Sequence, residues 1–364
     1  MGSSAVETNA IARAVDTLQA GGTIMVLDGD SGLGNLGMVV MAAEHADAAA
    51  LLRFSRLATG WSYLALTDQR CEALGLDLVA ARDDALVHAP LTVTIRALEG
   101  VSTGVSLTER AQTIRVAIDP DRGRDDIRFG GNVLPLRARP GGVLERAGYT
   151  EASTDLMRIG ELLPAAVVGE IVATDGSETK GDELVALALR EGIPTVTIGE
   201  VIAHRRRTER LVRRIVSTGL ATASGTYHAV GYLGELDDAE HMALVRGQVE
   251  NQEDVLVYIH MACWEGDVFR SSRCDCRAKL DAAEAAIGRA GRGVLVHLAH
   301  PGYVLHQQRA PDEQIRDFGV GAQILADLGL TSITVLSDRA RPLIGLEGYG
   351  LAVSGYAPLL ATAP

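Results

Sequence analysis

The stretch VLVYIHMACWEGDVFRSSRCDCRAKLDAAEAAIGRAGRGVLVHL, residues 255–298, decides the reading of this chain. It opens on an alternating apolar run and closes on GVLVHLAH, both of which read as strands. Between them KLDAAEAAIGRAG has the apolar period of a helix and stops at glycine. The polar loop that joins strand to helix holds Cys263, Cys274 and Cys276 in the order C-x10-C-x-C. A thiolate trio leaves one tetrahedral position for water, which is the layout of a catalytic zinc. The helix starting near Arg277 directs its positive end at Cys274 and Cys276, lowering their pKa and favouring metal. Cysteines packed as small apolar residues are the alternative, and it suits the isolated Cys71. It suits the trio poorly, because Glu265, Asp267, Arg273 and Asp275 flank it. His260, three residues ahead of Cys263, either buttresses the site, packs on its strand or supplies a fourth ligand that would close it.

Outward from this stretch, YHAVGYLG and HMALVRGQV are alternating strands, with Ser224-Gly225 opening the β-rich region, and a further helix–strand unit ends near Tyr356. Upstream lies the arginine-rich run HRRRTERLVRR, 204–214, read as a solvated helix joining two domains, with a phosphate-binding surface as the alternative. It places the boundary at 205–215 and gives domains 1–207 and 208–364. In the first, residues 9–20 form a helix that Gly21-Gly22 ends, followed by the strand TIMVLDGD. LTVTIRAL (91–98), TIRVAI (113–118), AAVVGEIVA (165–173) and IPTVTIGEV (193–201) read as further strands, the last two separated by the helix ELVALALREG. The fold class is therefore α+β or α/β, in two domains.

Composition agrees. A chain of 364 residues, 47% hydrophobic and 22% charged, is too long for one small core and excludes disorder. Its 34 basic and 47 acidic residues leave a net charge of −13, which argues against nucleic-acid binding. Four cysteines in this length are no disulfide scaffold. Glu7 and Asp16 interrupt any signal-peptide core, Val6 breaks a myristoylation motif, and no apolar run approaches the ~20 residues of a membrane span. The expectation is a cytoplasmic protein that acts on a small molecule, with no membrane partner. Gly32, Gly34 and Gly37 spell G-x-G-x-x-G after a strand, but no acid stands between Asp47 and Asp68, and AAALLRFSRLA reads as helix. A dinucleotide site needs that acid at the end of a second strand.

The blocks VLDGDSGLGNLGMVVMAAE, STGVSLTERAQTI and 134–172 resemble 3,4-dihydroxy-2-butanone 4-phosphate synthase over residues 8–205. The VIAHRRRTERLV joint, the strands after it and the cysteine stretch resemble GTP cyclohydrolase II. Together they resemble the family in which both enzymes are fused for riboflavin biosynthesis. The resemblance implies a synthase-like N-terminal domain, a cyclohydrolase-like C-terminal domain and a homodimer.

It also exposes departures. The synthase loop Arg-Glu-Asn-Glu-Gly-Asp is here Leu33, Gly34, Asn35, Leu36, Gly37 and Met38. The histidine of Arg-x-Gly-His-Thr-Glu is Tyr149, and that of Gly-His-Val is Asn132. Mg2+ is therefore not expected in this domain, which becomes a scaffold or a site for another anion. Thr103, Arg110, Arg146, Thr150 and Glu170 survive on the phosphate side as candidate ligand-binding residues. Alternatively Arg110 pairs with Glu109, Arg146 with Glu151, and Thr103-Gly104 is merely a turn.

In the second domain the resemblance implies Zn2+ on Cys263, Cys274 and Cys276. The family's arginine two residues before His260 is Tyr258, and its loop Arg-Gln-Glu-Gly-Arg-Gly-Ile-Gly-Leu corresponds to Ala299–Gln307. A segment carrying an active-site tyrosine is deleted between His306 and Pro311. The Asp-x-Arg pair reads Gln314-Ile315-Arg316, and Thr-Asn-Asn-Pro-x-Lys reads Ser337–Pro342. Arg316 is a candidate to stabilise an anionic intermediate, or it pairs with Asp312 or Glu313. His260, His300 and His306 are candidates for proton transfer. The expected activity is a zinc-dependent cyclohydrolase-type hydrolysis of a C–N bond, repurposed for specialised metabolism. The alternatives are a non-catalytic partner protein with structural zinc, and residual GTP cyclohydrolase II activity.

Overall fold

The computed structural model describes residues 3–29, 36–79, 90–173, 175–177, 179–236, 238–299, 311–337 and 350–359, and the side chains of these other than 3–9 and 311–318. The chain divides into two compact units between Arg205 and Arg206. Among the described residues no helix is long and apolar enough to cross a membrane.

The first unit is built on a six-stranded mixed sheet in the order Pro135–Arg137, Ser62–Leu66, Ala165–Glu170, Gly37–Ala42, Thr23–Leu27, Thr195–Thr197. One face, formed by Met25, Val39, Met41, Leu64, Leu66 and Val167, packs with Phe54 and with Ala111, Ile114 and Ala117. Alternate residues of the strands turn to the opposite face, which Ser3–Gln19 and Tyr149–Ile159 contact.

Two expected strands are corrected. TIRVAI lies in the helix Leu107–Ile118. Ser106 accepts from the Glu109 N–H at 3.2 Å, and the Glu109 carboxylate reaches back to Ser106 Oγ, so a capping arrangement starts the helix. The buried residues Ala111, Ile114, Ala117 and Ile118 then follow a helical period, which outweighs the β-branched composition. IPTVTIGEV contributes only Thr195–Thr197 to the sheet before the helix Ile198–Thr208 begins. Thr197 and Glu200 form a capping box there, with Thr197 N–H to Glu200 at 2.7 Å and Glu200 N–H to Thr197 Oγ1 at 3.1 Å. LTVTIRAL forms a ladder only over Ile95–Ala97.

The arginine-rich run is not uniformly solvated. Arg205 is 6% exposed and donates to Asp155 Oδ2 at 2.7 Å and to the Gly141 carbonyl at 2.8 Å. Burial pushes the Asp155 carboxyl up, and the Arg205 charge and the Val143 N–H oppose that shift. Gly142 sits at φ +60 beside the pair, where any side chain would strike Asp155 and Arg205. Farther along, Arg213 pairs with Glu235 at 3.0 Å and Arg214 with Asp327 at 2.8 Å.

The second unit holds a seven-stranded sheet in the order Ala352–Ala357, Ser332–Leu336, Val255–Met261, Gly293–Leu298, Glu240–Arg246, Gly225–Gly234, Val212–Thr222. The first four strands run parallel to one another, and the rest pair antiparallel. Val257, Val296, Ala322, Ile324 and Leu325 belong to one core, while Tyr258, Leu295, Ala283 and Ile287 belong to another. The helix Cys276–Ala290 therefore lies on the sheet face that carries Tyr258. The helix expected through 214 ends at Thr208, and Val212–Thr222 is a strand that was missed because it is exposed along most of its length and lacks an alternating pattern.

Replacing Arg205 by Ala leaves the Asp155 carboxylate buried without its cation. The expected loss is ~3–5 kcal/mol in the first unit, read by urea unfolding. Arg205→Met with Asp155→Leu should recover most of it, and a single-variant loss below about 1 kcal/mol would contradict the role assigned to the pair.

Candidate metal centre and the amino-terminal candidate residues

The cysteines gather at the carboxyl end of the parallel strand Val255–Met261, where open α/β sheets place their ligands. After Met261 the Ala262 N–H still bonds to the Leu298 carbonyl at 2.8 Å, and the chain then makes one π-helical turn, Trp264–Val268. Such turns recur at functional sites. Here the turn folds Asp267 back on Cys263: the Asp267 N–H donates to the Cys263 carbonyl, and the Cys263 N–H donates to Asp267 Oδ2, both at 2.7 Å. Cys276 is the first residue of the helix Cys276–Ala290. A Cβ on Gly266 would lie 2.7 Å from Cys276 Cβ and 2.8 Å from Cys274 Sγ, so only glycine lets the turn close over the thiols.

Cys263 Sγ and Cys274 Sγ are 3.9 Å apart, and the three sulfurs lie within 4.8 Å of one another. A tetrahedral zinc with bonds of ~2.3 Å holds its sulfurs ~3.8 Å apart, so the trio fits that ion. The lowering expected from the helix end is overturned for Cys276: burial and then the neighbouring thiols push its thiol up, a cost that a bound cation reverses. The adjacent cations are already tied: Arg273 to Glu265 at 3.4 Å, Arg277 to Asp281 at 2.6 Å and Lys279 to Asp275 at 2.9 Å. Cys71 is fully buried, and burial pushes its thiol up to about 12, as the reading of a core cysteine requires.

His260 is 3% exposed, and its Nε2 lies 2.9 Å from both oxygens of Asp267. Its Nδ1 faces the Tyr258 hydroxyl at 3.5 Å. Burial alone would raise Asp267, but hydrogen bonds from His260 and the Cys263 N–H, with the His297 ring nearby, outweigh it and hold the carboxyl well below its usual range. Asp267 and His297 were not singled out as site residues in the sequence. The available signal was weak: an acid four residues after the first cysteine, and a histidine on the next strand of the βαβ unit. Arg316 lies in the helix Pro311–Asp327, with its side chain outside the described part, and His300 and His306 lie outside the described residues.

In the first unit the candidate residues have individual neighbours. Thr103 accepts from Asn132 Nδ2 through its carbonyl at 2.9 Å, and Arg146 stands 3.5 Å from Glu151. Arg110 is not paired to Glu109. The Glu109 carboxylate instead collects Ser102 Oγ and N–H, Ser106 Oγ and the Gly104 N–H, and the serine bonds hold it down to about 2. Arg110 Nε is buried without a hydrogen-bond partner among the described residues. Thr150 is buried at the start of the helix Tyr149–Ile159. Glu170 accepts from the Tyr63 hydroxyl at 2.6 Å and lies opposite Met38 in the sheet register.

Tyr149 is buried, and its hydroxyl has no hydrogen-bond partner among the described residues. Burial, and then the nearby Asp28, push its phenol up, so it stays neutral. A neutral phenol and Met38, where the family has a histidine and an acid, do not offer the hard oxygen set that Mg2+ requires. Leu33, Gly34 and Asn35, with Gly32, lie outside the described residues. The two metal-ligand groups found among the described residues are both in the second unit.

Two families match the chain, in consecutive stretches. The 3,4-dihydroxy-2-butanone 4-phosphate synthase family matches residues 12–204, and the GTP cyclohydrolase II family matches residues 213–358. The chain is 38% identical over 373 residues to the riboflavin biosynthesis protein RibBA of Nocardia farcinica, covering 96% of this chain and 90% of that protein. It is 38% identical over 367 residues to RibBA of Salinispora arenicola, covering 95% and 87%. Among solved structures it is similar to RibBX of A. baumannii, described as a two domain 3,4-dihydroxy-2-butanone 4-phosphate synthase. That match has a TM-score of 0.80 and 30% identity, covering 95% of this chain and 99% of that one.

Gly266→Ala tests the geometry of the turn directly. Zinc content after purification in zinc-supplemented buffer should fall to a small fraction of the wild-type value, with the fold preserved by circular dichroism. Unchanged zinc content would show that the thiols do not need this close approach.

Proposed function

Because the chain belongs to the riboflavin-biosynthesis family that joins 3,4-dihydroxy-2-butanone 4-phosphate synthase to GTP cyclohydrolase II, we propose that it is a zinc-dependent hydrolase of the cyclohydrolase type. Its substrate is a heterocycle or amide-like compound with a hydrolysable C–N bond, and the first domain serves as a scaffold. The observation that carries this reading is the convergence of Cys263, Cys274 and Cys276 at the end of a parallel strand, with sulfurs spaced for one tetrahedral ion. Zinc bound there would supply Lewis acidity and an activated water.

The chain's own groups have separable tasks in this reading. Asp267 fixes Cys263 through its N–H and orients the His260 ring. The helix Cys276–Ala290 presents its positive end to the thiolates. Arg316 stabilises developing negative charge, and His300 and His306 exchange protons with the substrate. The family's purine and triphosphate contacts are replaced at Tyr258, across Ala299–Gln307 and across Ser337–Pro342, so the substrate differs from GTP. A non-catalytic partner protein with structural zinc is the second reading. Loss of acid and base groups in both halves favours it.

Formate release and ring opening, followed over GTP and a panel of nitrogen heterocycles, separate these readings. The expected result is little or no conversion of GTP, turnover of another heterocycle, and loss of both zinc and turnover in Cys274→Ser. A Cys274→Ser variant with a lower melting temperature and no turnover in the wild type would support the partner reading instead. Separately, ribulose 5-phosphate with Mg2+ should give no dihydroxybutanone phosphate, and its detection would overturn the scaffold assignment.

A further inference from the structure

Beside the thiols lies a second convergence of ligating groups. His260 and His297 face each other in register on the parallel strands Val255–Met261 and Gly293–Leu298, with ring centroids 5.4 Å apart. The π turn carries Asp267 over both rings. One carboxylate oxygen stands 2.9 Å from His260 Nε2 and 3.7 Å from His297 Nε2. The second separation is too long for a hydrogen bond. The two nitrogens and the oxygen lie within 4.8 Å of one another. Around an ion with bonds of ~2.0–2.2 Å, tetrahedral ligand atoms stand ~3.3 Å apart, between the two observed separations.

Charge points the same way. The Asp267 carboxylate brings one negative charge to the two imidazoles, and among the described residues no arginine or lysine pairs with it. Arg273, Arg277 and Lys279 are already paired with Glu265, Asp281 and Asp275. The His297 side chain is 35% exposed, which opens the set to solvent and to an entering ion, while His260 is buried at 3%. Two imidazoles and one carboxylate suit a late first-row divalent ion better than Mg2+ or Ca2+.

We propose that His260, Asp267 and His297 bind a second divalent transition-metal ion, distinct from the one assigned to the cysteines. His260 and His297 present Nε2 and Asp267 presents Oδ2. For Nε2 to ligate, the single ring proton of neutral His260 moves by exchange with solvent from Nε2 to Nδ1, next to the Tyr258 hydroxyl. Asp267 then serves both sites, since its carboxylate also holds the Cys263 N–H.

Titrating the metal-free full-length chain with Co2+ alone tests this. Sulfur-to-cobalt charge-transfer absorption should saturate near one equivalent, and d–d absorption without further charge transfer should grow until about two. His297→Gln, at a partly exposed position, should keep the charge-transfer band and stop near one equivalent. Cys274→Ser should lose most of that band yet still take up about one. Saturation of the wild type at one equivalent, or full uptake by His297→Gln, overturns the proposal. Absence of the charge-transfer band with retained d–d absorption would instead count against the thiolate site alone, and leave the histidine site standing.

Discussion

A single carboxylate organises the second domain. Asp267 accepts the Cys263 N–H at 2.7 Å and faces His260 Nε2 at 2.9 Å, so it locks the turn that delivers the first thiol to the other two. Remove that clamp and the π turn keeps its backbone bonds but loses the side-chain tie to the Cys263 N–H and to His260. The remaining thiols would still sit at a helix start, but the sulfur spacing would not be fixed. Gly266 is the steric counterpart, because the turn passes too close to Cys274 and Cys276 for any side chain. Electrostatics and sterics thus act on the same π turn, through Asp267 and Gly266.

The first domain shows the opposite balance. Its sheet, its capping boxes and the buried Arg205–Asp155 pair keep the framework intact. Yet the positions where the family carries acids and histidines now hold the partly buried Met38, the buried Tyr149 and the exposed Asn132. Glu170 remains, held by Tyr63, with an apolar side chain opposite it in the register. A framework retained while Met38, Tyr149 and Asn132 replace an acid and two histidines fits a domain kept for its shape.

Most of this was legible in the sequence, for identifiable reasons. The cysteine loop, its flanking strands and the helix after it follow from apolar period and turn residues alone. TIRVAI misled because β-branched residues outnumber other signals locally, while the cap formed by Ser106 and Glu109 lies outside the run. Arg205 was hidden among exposed arginines, since nothing in the run distinguishes the one that meets Asp155. Asp267 and His297 were missed for a related reason. Their pairing depends on strand register and on a π turn, neither of which leaves a periodic mark.

The central claim, that Cys263, Cys274 and Cys276 hold an open zinc site, is tested most directly by X-ray absorption at the zinc edge. The full-length chain would be loaded with one equivalent of zinc. The account predicts a sulfur-dominated first shell at ~2.3 Å completed by one light atom. A first shell of nitrogen and oxygen only, or no zinc retained at all, would contradict it.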